Sequence, residues 1–250
     1  MSAAMKNGMV VEGAAPPGAT DRESRARAVR EMFTAIAPRY DLLNHLLSLS
    51  VDRLWWNRTA AAFSDILSRP DARVLDLCCG TGDMTGSLRK RAAQGTQIVG
   101  ADFSHAMLVR AKVKYARPGW IEADALQLPL PDAHFDLVTS AFGFRNLVDY
   151  DAGLREIWRV LRPGGMLGIL DCSEPGGVIG TLYRIYFKYM LPRIGTLISG
   201  VAGPYQYLPD SVERFPKPDE MLKRMRDAGF VKASWQPYTL GVAGLYKVEK

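Results

Sequence analysis

Short apolar runs alternate with amphipathic stretches along most of the chain. Val74, Leu75 and Leu77 form a run of the kind that a strand buried on both faces requires, and it stops at Gly80-Thr81-Gly82. The pattern then repeats. Helical spacing over 84–93 ends at Gly95, and a second run at 97–101 ends at Asp102. Ser104, after Phe103, is placed to cap a helix that reaches Tyr115. A third short run at 120–123 ends at Asp124-Ala125, and a fourth covers 135–141. Leu154, Ile157, Trp158 and Leu161 mark a helix over 150–161, which a turn at 162–165 joins to a strand at 166–170. A helix at 217–228 and two apolar runs, 231–240 and 242–248, follow, the last two spaced as an antiparallel hairpin at a sheet edge. Such alternation predicts an α/β fold with a doubly wound, mostly parallel sheet and right-handed crossovers.

Two regions stand outside the repeat. Residues 1–20, rich in Gly, Ala and Pro, read as a flexible tail, leaving 21–250 as one domain. Residues 21–37 have helical spacing. The following 40–56 mixes aromatics with Asp41, Asn44, His45 and Asp52, which suits a helical cap forming one wall of a site as well as plain core packing. Residues 178–201 are the most apolar stretch. Arg184, Lys188 and Arg193 interrupt it and Pro192 breaks it, which disfavours a membrane span and suits an amphipathic lid within an insertion at about 175–215.

Composition changes this picture little. Hydrophobic residues make up 48% and charged residues 23%, ordinary for a soluble globular chain. The net charge of +6 permits an anionic partner, yet no run of like charge marks a nucleic-acid tail. Three cysteines without metal or redox spacing and three scattered histidines argue against a disulfide framework and against a metal site, and fit a cytoplasmic compartment.

The candidate chemistry gathers at the glycine turn. Two glycines in three residues let a small polar ligand approach main-chain N–H groups before the next helix begins. A dinucleotide fingerprint needs a third glycine at position 85, where Thr85 stands, and no phosphate-cradling P-loop occurs anywhere. Asp76 lies four positions before Gly80, and Asp102 at the second strand end is placed to meet the ribose hydroxyls of a nucleoside. Asp124 could accept from an adenine amino group or simply cap a loop. The turn resembles motif I of the S-adenosylmethionine (SAM) methyltransferases, with Cys78 where the motif's first glycine usually falls.

Three further blocks make the resemblance specific: YDLLNHLLSLSVDRLWW from Tyr40, SAFGFRN from Ser140 and RVLRPGGMLGILDCSEP from Arg159. The chain resembles the ubiquinone/menaquinone C-methyltransferases from about Val29 onward. It departs from the family signatures at Leu43 (usually Met), Asp52 (His), Arg162 (Lys), Asp171 (Glu) and Cys172 (Phe). The resemblance implies methyl transfer from SAM to a ring carbon of a polyprenyl quinol, a demethylated naphthoquinol in the first place and a benzoquinol as the alternative. It implies cofactor contacts at Asp76, Gly80, Thr81, Gly82, Asp102, Asp124, Ala125 and Ser140. Arg145, just past the fourth strand, is expected to stabilise the developing oxyanion or to orient a water that takes the proton, with Asn146 holding it in place and Arg145→Ala leaving the fold intact. His45, Tyr205 and Tyr207 rank second. Expected partners are the quinol and, transiently through the lid, a membrane surface, with no nucleic acid and with a homodimer allowed. A nicotinamide oxidoreductase, a non-catalytic SAM-binding subunit and a methyltransferase of RNA or another small acceptor are the competing readings.

Overall fold

The computed structural model describes residues 13–41, 48, 50–177, 180–181 and 203–250, with the side chains of 39 and 203–206 left aside. His45 and almost all of the expected lid, 178–179 and 182–202, lie outside the described residues, as does the side chain of Tyr205.

Helix α1 (Arg22–Ile36) opens on a capping box, in which Asp21 accepts from the Ser24 N–H and the Ser24 hydroxyl accepts in return from Asp21 N–H. A single 3-10 turn (Ala37–Arg39) carries it to Tyr40 and Asp41. Then come α2 (Val51–Ala61), α3 (Ser64–Leu67), β1 (Arg73–Leu77), α4 (Asp83–Arg91), β2 (Gln97–Asp102), α5 (His105–Lys114), β3 (Gly119–Glu122) and β4 (Phe135–Ala141). After a 3-10 turn at Phe144–Asn146 follow α6 (Tyr150–Val160), β5 (Leu161–Cys172), α7 (Gly203–Arg214), α8 (Pro218–Asp227), β6 (Val231–Tyr238) and β7 (Ala243–Glu249).

The strands form one sheet in the order β3-β2-β1-β4-β5-β7-β6. The first five run parallel, whereas β7 is antiparallel to both β5 and β6. The predicted terminal hairpin is therefore present, with its second strand drawn inside the sheet. Helices cover both faces, as continuous apolar strands demand. On one face Trp55, Trp56, Phe63 and Leu67 pack with Met84 and Leu88 over Val74 and Leu137. On the other, Leu154 and Ile157 of α6 and Met221 and Met225 of α8 pack over Leu75, Val138 and Leu167.

Two expectations need correction. The turn at 162–165 lies inside β5, where the register against β4 slips between the Phe135–Leu161 and Leu137–Met166 pairs. Gly164, at φ +74°, donates its N–H to Lys250 O, so these residues make a bulge within the strand rather than a turn ahead of it. Residues 13–20 were expected in the flexible tail, yet Ala14 is buried and donates its N–H to Leu147 O at 2.8 Å. Arg214 fixes the same stretch through the Ala15 carbonyl.

Candidate functional site

Strand order reverses between β1 and β4, so the loops leaving their carboxyl ends diverge and open a crevice. A cavity that opens to solvent, about 610 Å³ with its open mouth included, occupies it. Cys78 and Gly80 after β1, Asp102 and Phe103 at the end of β2, Asp124 and Ala125 after β3, and Phe142, Gly143 and Asn146 after β4 line it. Phe33 of α1 and Tyr40 close the outer side. A smaller cavity of about 380 Å³ lies across the glycine turn and includes Asp76, Thr81 and Asp83. The two share Tyr40, Cys78, Gly80, Ala141 and Phe142 as walls.

The turn itself is organised differently from expectation. The Gly80 N–H is donated to Asp102 Oδ2 at 2.9 Å, and the Gly82 N–H to Cys79 O at 2.9 Å, so both are used within the protein. Gly82, at φ +87°, faces away from both cavities, and a Cβ there would meet the Trp120 ring at 2.7 Å. A glycine at this position suits the left-handed backbone and this close approach. Gly86 likewise lets α4 lie against the Tyr115 ring, 2.5 Å from where a Cβ would stand.

Asp102 accepts from the N–H groups of Gly80 and Ser104, which uses about two of its roughly four lone-pair positions. The residue also lines the larger cavity. Ser104 provides no side-chain cap for α5; its hydroxyl instead meets Thr34 Oγ1 at 3.2 Å and so joins the site to α1. Burial raises the Asp102 carboxyl to about 6 against the lowering effect of those two N–H donors. Asp76 is fully buried, bonded to the hydroxyls of Thr85 and Thr139, and burial lifts it to about 6 as well. It ties β1 to α4 and β4 from behind the turn. Asp124, exposed, caps its loop through the Leu126 N–H and borders the cavity too. Ser140 is buried within β4 and borders neither cavity.

Cys78 (φ +54°) and Phe142 (φ +58°) sit just past β1 and β4 in the left-handed region, which costs a non-glycine residue of order 1 kcal/mol. That conformation accounts for the glycine usually found at position 78. The loops carrying them touch: a Cβ on Gly143 would stand 2.3 Å from Cys78 Cβ.

Arg145 and Asn146 occupy the 3-10 turn that follows. Asn146 borders the larger cavity, whereas Arg145 lies behind it, buried. Arg145 Nη1 meets Asp171 Oδ1 at 2.7 Å and its main-chain N–H donates to Asp171 Oδ2 at 3.1 Å. Burial opposes the guanidinium charge, but the Asp171 carboxylate outweighs it and holds the pKa above the usual arginine value. Arg145 Nε and Asn146 Oδ1 are buried without a hydrogen-bond partner. Tyr207 is buried against Val148, just past this turn; its hydroxyl is unpartnered, and burial pushes its pKa up to about 12.

The structure thus brings Gly80, Asp102, Asp124, Ala125 and Asn146 to one cavity and Asp76, Gly80 and Thr81 to the other, and leaves Gly82 and Ser140 aside. Reading the sequence for site residues passed over Tyr40, Gly143 and Asp171. Tyr40 and Asp171 each stand within a block that carries the family resemblance, and Gly143 lies in SAFGFRN, so the signal was present but unassigned.

Comparison with known proteins agrees with this geometry. A protein of Deinococcus radiodurans named demethylmenaquinone methyltransferase is 48% identical over 247 residues, covering 97% of this chain and all of that one. A Geotalea daltonii protein named ubiquinone/menaquinone biosynthesis C-methyltransferase UbiE is 40% identical, over 90% of this chain and 97% of its own length. Among solved structures, a SAM-dependent methyltransferase of Thermotoga maritima superposes with a TM-score of 0.64 at 18% identity, covering 88% of this chain and 99% of that one, which shows the fold. The model of the ubiE/COQ5 methyltransferase family matches residues 20–250. The chain belongs to that family.

Proposed function

We propose that the chain is a SAM-dependent C-methyltransferase acting on the ring of a polyprenyl quinol, with a demethylated naphthoquinol as its main acceptor. One observation carries this reading: Asn146 borders the larger cavity and its Oδ1, an acceptor, is buried and without a partner, with the buried Arg145 cation next to it on the same turn. A buried polar atom left unpaired costs about 1–3 kcal/mol, and a ring hydroxyl of the quinol can donate to that oxygen.

The larger cavity suits the nucleoside part of SAM. Phe103, Met107 and Leu147 offer apolar walls to a base, Asp124 an acceptor, and Asp102 its remaining lone pairs to ribose hydroxyls. The smaller cavity, across the shared wall, suits the methionine part. Bound SAM supplies an electrophilic methyl group on a sulfonium. The chain's part is to make the acceptor carbon nucleophilic and to aim it. The Arg145 cation favours the ionised hydroxyl, which pushes charge onto the adjacent ring carbon, and Asn146 fixes the ring's orientation. Segment 178–201, by its sequence, covers the polyprenyl chain and meets the membrane surface transiently.

The direct test is turnover of SAM with demethylated naphthoquinol and benzoquinol acceptors side by side. Asn146→Ala should retain SAM binding and lose kcat by about 10²-fold, since the interaction matters most as charge develops. Equal turnover in the variant removes Asn146 from the reaction, and no turnover with either quinol removes the acceptor class.

A pH series tests the ribose contact. Hydroxyl donors bind the ionised carboxyl, so the complex holds fewer protons than the free protein below the Asp102 pKa of about 6. SAM affinity should be flat above about pH 6 and weaken by up to roughly tenfold per unit below it. Asp102→Asn should bind more weakly at pH 7 and lose the slope. Asp76→Asn should keep the slope, because Asp76 is already bonded to two threonines inside the protein.

A further inference from the structure

The outer wall of the larger cavity is tied to the glycine turn through one carboxylate. Asp41, next to Tyr40, accepts from the Thr81 hydroxyl at 2.5 Å through Oδ1 and from Lys114 Nζ at 2.8 Å through Oδ2. Lys114, at the end of α5, also reaches Asp83 Oδ1 at 2.6 Å, and the Tyr115 hydroxyl donates to that oxygen at 3.3 Å. Three separate stretches of chain therefore meet in one network bordering the smaller cavity, where Thr81 and Asp83 stand. The side chains are partly shielded, Lys114 being 29% and Asp83 13% exposed. Burial pulls the Lys114 ammonium down, but the hydrogen bonds it donates to Asp41 and Asp83 outweigh it, so the lysine is held charged.

The rest of the wall is held by different forces. Phe33 and Tyr40 meet edge to face at 6.2 Å between ring centroids, and Ile36 and Ala37 pack on Met107 of α5. Those contacts are apolar and salt does not weaken them. A ligand enclosed between this wall and the glycine turn leaves when the two part, and parting them breaks both Asp41 contacts.

We infer that Asp41 and Lys114 are positioning residues for cofactor retention: they clamp the N-terminal wall onto the glycine turn and set how fast the cofactor leaves. The inference rests on the reading that the paired cavities take SAM. Neither residue touches the reacting atoms, so the clamp acts on dissociation and not on the chemical step.

Stopped-flow dissociation of SAM from the full chain tests it, at low and high salt. Asp41→Asn keeps an acceptor for Thr81 but removes the charge, and Lys114→Met removes the ammonium from the other side. Each should raise the SAM dissociation rate at low salt by about fivefold, the scale of a partly exposed charge network. Wild-type dissociation should quicken with added salt toward the variants' rate, while the variants stay flat, because a screened pair has no more to lose. Lys114→Arg, which keeps the charge, should stay within about twofold of wild type, and the quinol KM should not move in any variant. Unchanged dissociation in both charge-removing variants, or equal salt dependence in variants and wild type, overturns the clamp. A wild-type protein that binds no SAM overturns the cavity assignment, and the clamp with it.

Discussion

Arg145→Ala should melt about 6–20 °C below wild type as well as lose turnover. The reason is Asp171, fully buried, whose two oxygens receive the Arg145 side chain and main-chain N–H. Removing one partner of a buried ion pair leaves an uncompensated charge and costs about 3–5 kcal/mol. For a chain of this size each kcal/mol moves Tm by about 2–4 °C. This replaces the expectation, drawn from sequence, that the variant folds normally. The double variant Arg145→Met with Asp171→Leu separates the two roles. It should recover most of the lost Tm, because apolar residues of similar volume can replace a buried pair, yet remain without activity. Thermal melts and single-turnover assays on the three proteins decide. A double variant that is active would show that the arginine acts only through the fold.

Gly143→Ala should cost at least tenfold in SAM affinity although residue 143 carries no functional group. Its φ of −107° suits any residue, so strain is not the cause. The cause is space: the new Cβ would stand 2.3 Å from Cys78 Cβ and 3.1 Å from Cys78 O, pushing apart the two loops that meet at the switch point. Overpacking of this kind costs about 1–3 kcal/mol in stability. Cys78→Gly added to this variant should restore much of the binding, since it removes the clashing Cβ and frees a backbone held at φ +54°. Calorimetric titration of the single and double variants measures it. If Cys78→Gly gives no recovery, the loops do not press on each other and the glycine serves another purpose.

The sequence made the sheet legible because a parallel strand buried on both faces has to be a continuous apolar run, and each run here ends in residues that turn. It made the location of the cavity legible for the same reason, since Gly80, Asp102 and Asp124 all mark strand ends. It did not show which group satisfies which. The Gly80 N–H is spent on Asp102, 22 residues away, and Arg145 on Asp171, 26 residues away. Such pairings depend on how β1 lies beside β2 and β4 beside β5, which no local pattern records. The signals at 162–165 were read as a turn ahead of the strand, whereas they form a bulge within it, where Lys250 continues the ladder past Gly164 and Gly165. Ala14 escaped notice because a single small residue docked on Leu147 leaves no periodicity.

The position of β7 bears on how the protein can be made. A chain growing from its amino end produces β1 to β5 in an order that lets each crossover dock as it emerges, but β5 then waits with one side unpaired. Its neighbour is β7, and the synthesis of α7, α8 and β6 intervenes before that strand exists. Throughout that interval β5 presents a long apolar edge, the kind of template on which unfinished chains associate. Closure waits for β7, which pairs with β5 on one side and β6 on the other.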